Sequence, residues 1–234
     1  MKKEKRIKAV FFDIDNCLYD TSLQAERARK NAIKAMINAG LAVDEKKAYA
    51  LLMKIVRKYG SNYGYHFDRL LEALGFERNP RIIAAGIVGY HTTKLAYLVP
   101  FPDTVPTLLQ LRDMGYKLGI ITNGLAIKQW EKLIRLGLQH FFHSVIISEE
   151  VGCEKPERKI FEIAAKSLAE NPEKCVMVGD RLDIDIEGAK KAGMVTIQIV
   201  RSKKRAKKPK NEFQEPDFII GNLKELVDVL NSLQ

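Results

Sequence analysis

Short apolar runs rich in β-branched residues recur along this chain, at residues 7–12, 117–122, 144–148, 175–178 and 195–200. Each has the brevity and unbroken hydrophobicity of a strand buried on both faces, as parallel sheets require. Between most of them lie amphipathic segments of helical length, at 103–114, 126–136, 156–168 and 186–192. Several stop at a glycine, Gly115, Gly137 or Gly193, where a left-handed helix cap is expected. Alternation of this kind predicts βαβ units with right-handed crossovers, hence an α/β fold with a parallel sheet and helices on both faces.

One interval breaks the alternation. From about residue 21 to 97 the pattern is helical throughout, with stops near Gly40, Gly60 and Gly75 and no convincing strand. Leu23, Ala28, Ala32, Ala35 and Met36 fall at near-helical spacing, Asp44 can cap the next helix, and Asn79-Pro80 offers a cap followed by proline in the first turn. These residues predict a helical bundle of about 80 residues inserted after the first strand, and Pro100 and Pro102 mark the return. The expected organisation is a core made of 1–18 and 99–234 and a helical domain at 19–98.

Composition changes this picture little. With 234 residues, 46% apolar and 29% charged, the chain can bury a substantial core. It holds no apolar run of about 18 residues and opens without a signal-peptide pattern, so a soluble, cytoplasmic protein with no membrane partner is expected. Cys17, Cys153 and Cys175 are far apart and form no Cys-x-x-Cys or Cys/His cluster, which argues for reduced thiols rather than zinc or disulfides. The net charge of +10 is concentrated: residues 201–210 carry seven Lys or Arg and no acid, leaving +3 for the rest. That stretch has no interleaved aromatics on which bases could stack, so it reads as a solvated loop, and nucleic acid is not the expected partner.

The candidate chemistry lies where the strands end. Ligands of an open parallel sheet gather at its carboxyl edge, among loops and helix N-termini. The first strand ends in Asp13-Ile14-Asp15-Asn16, the second in Thr122-Asn123-Gly124, the fourth in Gly179-Asp180, with Asp183 and Asp185 following. Carboxylates crowded on one edge repel one another, and a bound hard cation would relieve them. Lys155, just before Pro156 and a predicted helix, adds a positive charge to the same region.

These residues resemble, in order, the four motifs of the haloacid dehalogenase-like superfamily. The hydrophobic strand ending Asp-x-Asp matches residues 10–15, the strand ending in Thr matches Thr122, the lysine matches Lys155 in Glu154-Lys155-Pro156, and Gly-Asp with a further Asp matches Gly179-Asp180 and Asp185. A lone Asp-x-Asp would be weak; four motifs in order are specific. The resemblance implies a Rossmann-like core and makes the helical insert a cap domain. It further implies a phosphatase in which Asp13 attacks phosphorus to form an aspartyl-phosphate and Asp15 serves as acid, then base. Mg2+ would be held by Asp13, the backbone carbonyl of Asp15 and Asp180, with Asp185 orienting that shell. Thr122, backbone amides near Asn123, Lys155 and the N-terminus of the helix after Gly124 would face the phosphate.

Where many members have Gly-Thr after the second aspartate this chain has Asn16-Cys17; Cys17 reads as a small buried residue, with no histidine beside it to make a nucleophile. The string 12–19 also looks like the first motif of pyrimidine 5′-nucleotidase relatives. Asp15 argues against the dehalogenase branch, which lacks that acid. Sugar-phosphate mutases share Asp-x-Asp and a cap, and phosphonatases recruit a cap lysine for which Lys34 and Lys54 are candidates; both stand as alternatives. A binding protein using the basic stretch would have lost a motif, and none is lost. The expected partner is a small phosphorylated metabolite, a sugar or triose phosphate or a nucleoside monophosphate. The cap would select it, with Asn62, Tyr63, Tyr65, His66, Arg69 and residues 91–94 as candidates.

Overall fold

The structure is a computed structural model and describes residues 7–202 and 207–234. The chain forms two compact units, Met1–Asp20 with Val99–Gln234, and Thr21–Leu98.

The first unit begins with β1 (Ala9–Phe12), every residue of which is buried. The second unit follows at once, as four helices: α1 (Thr21–Asn38), α2 (Glu45–Tyr59), α3 (His66–Ala73) and α4 (Pro80–Ala96). Asp44 caps α2 by accepting from the Lys47 amide at 2.8 Å, and Asn79 caps α4 by accepting from the Arg81 and Ile82 amides, with Pro80 opening the helix. Ile33, Met36, Leu52, Leu70 and Ile83 form the core of this unit. α1 and α4 pack closely because α4 presents two glycines to its partner. A Cβ on Gly86 would meet Met36 Cγ at 2.8 Å, and one on Gly89 would meet Ala35 Cβ at 2.9 Å. Asn31 Nδ2 donates to Thr93 Oγ1 at 3.1 Å across the same contact.

The chain returns to the first unit through α5 (Thr104–Asp113), β2 (Lys117–Thr122), α6 (Ala126–Arg135), β3 (Ser144–Ile147), α7 (Ser148–Val151) and α8 (Arg158–Ser167). Then come β4 (Cys175–Gly179), α9 (Glu187–Ala192), β5 (Val195–Ile199), β6 (Phe218–Ile220) and α10 (Lys224–Ser232). The six strands form one parallel sheet in the order β3-β2-β1-β4-β5-β6, an α/β Rossmann-like arrangement. Side chains alternate between its faces. Phe11, Ile121 and Met177 pack with Phe161 of α8 and Ala189 of α9 on one of them. Gly119 lets β2 lie beside β1, since a side chain there would collide with the Phe11 ring.

Three elements are absent from the expected pattern: α7, β6 and α10. β6 has three residues and lies at the sheet edge with Ile219 exposed, so it lacks the buried apolar run that marked the other strands. Within the basic stretch, residues 207–210 are exposed, as expected of a solvated loop. Residues 203–206 lie outside the described residues, but Arg201 is folded into the unit: Nη1 donates to Asp103 Oδ2 at 2.6 Å, Nη2 donates to the Cys17 carbonyl at 2.9 Å, and its guanidinium lies 4.1 Å from the centre of the Phe101 ring. Among the described residues, no helix is long and apolar enough to cross a membrane.

Candidate active site

The strand order reverses at β1, which lies between β2 and β4, and this switch point is where a doubly wound sheet opens a crevice at its carboxyl edge. Asp13 follows β1 directly, and its amide donates to the Val178 carbonyl at 2.9 Å, continuing the pairing with β4. Thr122 ends β2, and Asp180 follows β4. The register Phe12 to Val178 therefore carries Asp13 and Asp180 to the same edge.

Lys155 reaches this edge from the loop before α8. Asn123 holds that loop from both sides: its Oδ1 accepts from the Lys155 amide and its Nδ2 donates to the Lys155 carbonyl, each at 2.8 Å. The Lys155 ammonium then donates to Asp13 Oδ1 at 2.7 Å and Asp185 Oδ1 at 2.6 Å, with all three residues buried. Asp185 lies in a π-helical turn, Leu182–Ile186, where its Oδ2 accepts from the Arg181 amide at 3.0 Å. The space it occupies exists because residue 179 is glycine; a Cβ there would overlap the Asp185 carboxylate.

The electrostatics follow from that arrangement. Burial raises Asp13 to about 6, against the pull of Lys155 and with added repulsion from Asp185 and Asp15. Asp180 is raised to about 7 by burial, then by Asp185 and Asp13, while a hydrogen bond from Asn16 Nδ2 at 3.4 Å and Lys155 oppose the shift. Burial alone would pull the Lys155 ammonium down, but Asp13 and Asp185 more than reverse this and hold it above the ordinary lysine value. One ammonium thus stands against several carboxylates, and the surplus charge is negative.

Oxygen atoms of Asp13, Asp180 and Asp185 all lie within 4.8 Å of one another. Hard oxygen donors with raised pKa values fit a hard divalent cation, which would replace the missing positive charge. Asp185 already accepts at both oxygens, from Lys155 and from the Arg181 amide. The fit therefore favours Asp13 and Asp180 as side-chain ligands and Asp185 as the residue that holds Lys155.

The expected residues Asp13, Asp180, Lys155 and Asp185 come together, with Asp15 two residues from Asp13 and Thr122 at the neighbouring strand end. Three details differ from expectation. The amides of Gly124 and Ala126, at the start of α6, donate to Ser148 Oγ at 3.0 Å and Glu149 Oε2 at 2.7 Å, because α7 folds over them. The Asn123 side chain holds the Lys155 loop. The buried Thr122 hydroxyl donates to Gln129 Oε1 at 3.4 Å. Asp183 pairs with Arg181 at 2.8 Å on the surface. Cys17 is buried, its thiol pushed well above its ordinary pKa by burial and by Asp13, which makes it a poor nucleophile.

Sequence reasoning missed Lys132, Gln129 and Tyr19. Lys132 Nζ donates to both oxygens of Asp15, at 2.8 and 2.7 Å, and the Tyr19 hydroxyl donates to Asp15 Oδ1 at 2.9 Å. A signal was present: Gln129 lies one helical turn before Lys132 and is buried on the same face of α6 as Leu133. A glutamine on the inward face of the helix after Thr122 marks a polar site.

Residues 7–193 match the model of the haloacid dehalogenase-like hydrolases, and the chain belongs to that family. It is 56% identical to a glyceraldehyde 3-phosphate phosphatase of Methanopyrus kandleri, over 97% of this chain and 98% of that one. Identity with the protein of the same name from Methanocaldococcus jannaschii is 46%, over 97% and 99%. Among solved structures it is similar to a HAD phosphatase from Thermococcus onnurineus, with 29% identity, a TM-score of 0.67, and coverage of 96% of this chain and 98% of that one. The chain is accordingly a phosphatase, a phosphoric monoester hydrolase of this family.

Proposed function

We propose that the chain hydrolyses glyceraldehyde 3-phosphate to glyceraldehyde and inorganic phosphate, with Asp13 as nucleophile and Mg2+ as cofactor. The observation that carries the chemistry is the Asp13 carboxylate held by Lys155 beside Asp180 and Asp185, with Asp15 two residues away. The substrate reading is supported by relatives of that name at 46–56% identity across nearly the whole chain.

In the first step an Asp13 oxygen bonds to phosphorus while the bond from phosphorus to the triose oxygen breaks. The electron pair leaves with that oxygen, which takes a proton from Asp15, and glyceraldehyde departs from an aspartyl-phosphate. In the second step water attacks the same phosphorus and gives its proton to Asp15, and the bond to Asp13 breaks to release phosphate and regenerate both carboxyls. Lys155 counters the charge gathered around Asp13, and the Thr122 hydroxyl would turn from Gln129 Oε1 to donate to a phosphoryl oxygen. The carboxylates of Asp13 and Asp180 and the backbone carbonyl of Asp15 would hold Mg2+, which supplies charge neutralisation on the phosphate when bound. The helical unit Thr21–Leu98 acts as the cap that selects the substrate, an assignment supported by its insertion directly after the Asp13 to Asp15 segment. Tyr63 and His66 there already bond to neighbours, Tyr63 accepting from Arg69 and His66 contacting the Gly60 carbonyl, which favours structural roles for both.

The test is phosphate release from glyceraldehyde 3-phosphate with Mg2+ and with chelator, beside an Asp13→Asn variant. Turnover is expected from the wild type with Mg2+ alone; equal release by the variant would remove Asp13 as nucleophile.

A further inference from the structure

We propose that Lys132 is a positioning residue for Asp15, fixing the direction in which the proton carrier presents its carboxyl. The inference rests on the reading of Asp15 as the acid of the first step.

The Lys132 ammonium spans both oxygens of Asp15, at 2.8 and 2.7 Å, so it constrains the plane of the carboxyl as well as its position. Its other contact is Gln129 Oε1 at 3.1 Å. An ammonium has three donors and no acceptor, and these three oxygens match them. Gln129 in turn accepts from Thr122 Oγ1 at 3.4 Å and donates to the Asn123 carbonyl at 3.2 Å. Asp15 is thereby tied, through one turn of α6, to the end of β2.

Magnitudes separate a structural role from a positioning one. The side chains of Lys132 and Asp15 are 18% and 35% exposed, so water screens the pair and its loss should leave Tm nearly unchanged. A well-placed general acid, by contrast, contributes about a hundredfold or more to rate, and is sensitive to small errors of orientation. Loss of Lys132 should therefore cost little stability and much proton transfer.

The experiment compares two phosphomonoesters with the full-length, Mg2+-loaded enzyme: glyceraldehyde 3-phosphate, whose alkoxide must be protonated as it leaves, and p-nitrophenyl phosphate, whose phenolate leaves without help. kcat/KM covers only the steps up to leaving-group departure, where Asp15 acts as acid. Lys132→Met is expected to lower kcat/KM about 30-fold on the triose phosphate and by less than about threefold on the nitrophenyl ester, with Tm nearly unchanged. Lys132→Arg, which keeps a cation in reach of both oxygens, should recover part of the loss. Should Lys132→Met fold poorly, Lys132→Gln carries the same comparison. Equal losses on both substrates, or no loss on the triose phosphate, overturn the proposal. Failure of the underlying reading would appear instead in an Asp15→Asn arm, as equal losses of kcat/KM on the two substrates, whereas an acid at Asp15 makes that loss far larger on the triose phosphate.

Discussion

Two buried ion pairs lie in the same α/β unit, and they meet the cost of leaving water differently. Arg201 faces Asp103, whose Oδ2 also accepts from the Leu223 amide at 2.6 Å, while the arginine donates to the Cys17 carbonyl and lies on Phe101. Charge is balanced one against one, and the group knits the loop after β1 to the start of α5 and to α10. Lys155 faces Asp13 and Asp185 with Asp180 close by, so its cluster keeps a negative surplus that appears as raised pKa values on Asp13 and Asp180. Burial is similar in the two; charge balance differs. A balanced buried pair holds a fold, whereas an unbalanced one is prepared to receive a cation and a phosphate.

Breaking the unbalanced cluster should have the largest effect. Lys155→Met leaves its carboxylates without their cation, and kcat/KM on glyceraldehyde 3-phosphate should fall about a thousandfold, equivalent to about 4 kcal/mol of transition-state stabilisation. Arg201→Met breaks the balanced pair and should remove about 3 kcal/mol of stability, read from the urea midpoint, while the folded fraction keeps kcat/KM within tenfold. If the two variants lost activity equally, the distinction between the clusters would disappear.

A subtler perturbation enters through backbone space. Gly179→Ala pushes a methyl group into the Asp185 carboxylate and so disturbs the anchor of Lys155 without deleting a charge. It should cost about 2 kcal/mol of catalysis, some 30-fold in kcat/KM. An unchanged rate would mean that Asp185 can shift without moving Lys155.

The smallest effect is the linkage between Mg2+ and pH. Asp13 and Asp180, at about 6 and about 7 without metal, lie above their ordinary value of 3.8. Raised carboxyl values favour the folded state while the groups are protonated; that stability is complete below about pH 4 and is lost as pH rises through 6 to 7. Mg2+ binds the deprotonated forms and should offset the loss, raising Tm by about 3 °C more at pH 8 than at pH 5.5. Equal shifts at both pH values would place the metal elsewhere.

Much of the fold was legible in the chain because its rules are local or nearly so. Continuous apolar runs mark β1, β2, β4 and β5 as buried strands, glycines end the helices between them, and Asp44 and Asn79 cap helices through contacts within their own turn. β6 escaped because three residues at a sheet edge carry no run to detect. Asp13, Thr122 and Asp180 could be named as candidate site residues because a parallel sheet brings the ends of neighbouring strands to one edge. Lys155 could be named by its motif, but not its partners, since its ammonium meets carboxylates 142 and 30 residues away in the chain.

The sequence by itself determined which residues carry charge, which segments must be buried, and that acids follow the strands. Only the tertiary structure decided how the charges combine. It drew Arg201 out of a run of basic residues into a balanced pair, set Lys132 against Asp15 across 117 residues of chain, and left Lys155 outnumbered. The physical reason is that burial energy along a segment sums over its own side chains, whereas electrostatic energy depends on distances that exist only after the chain has closed on itself.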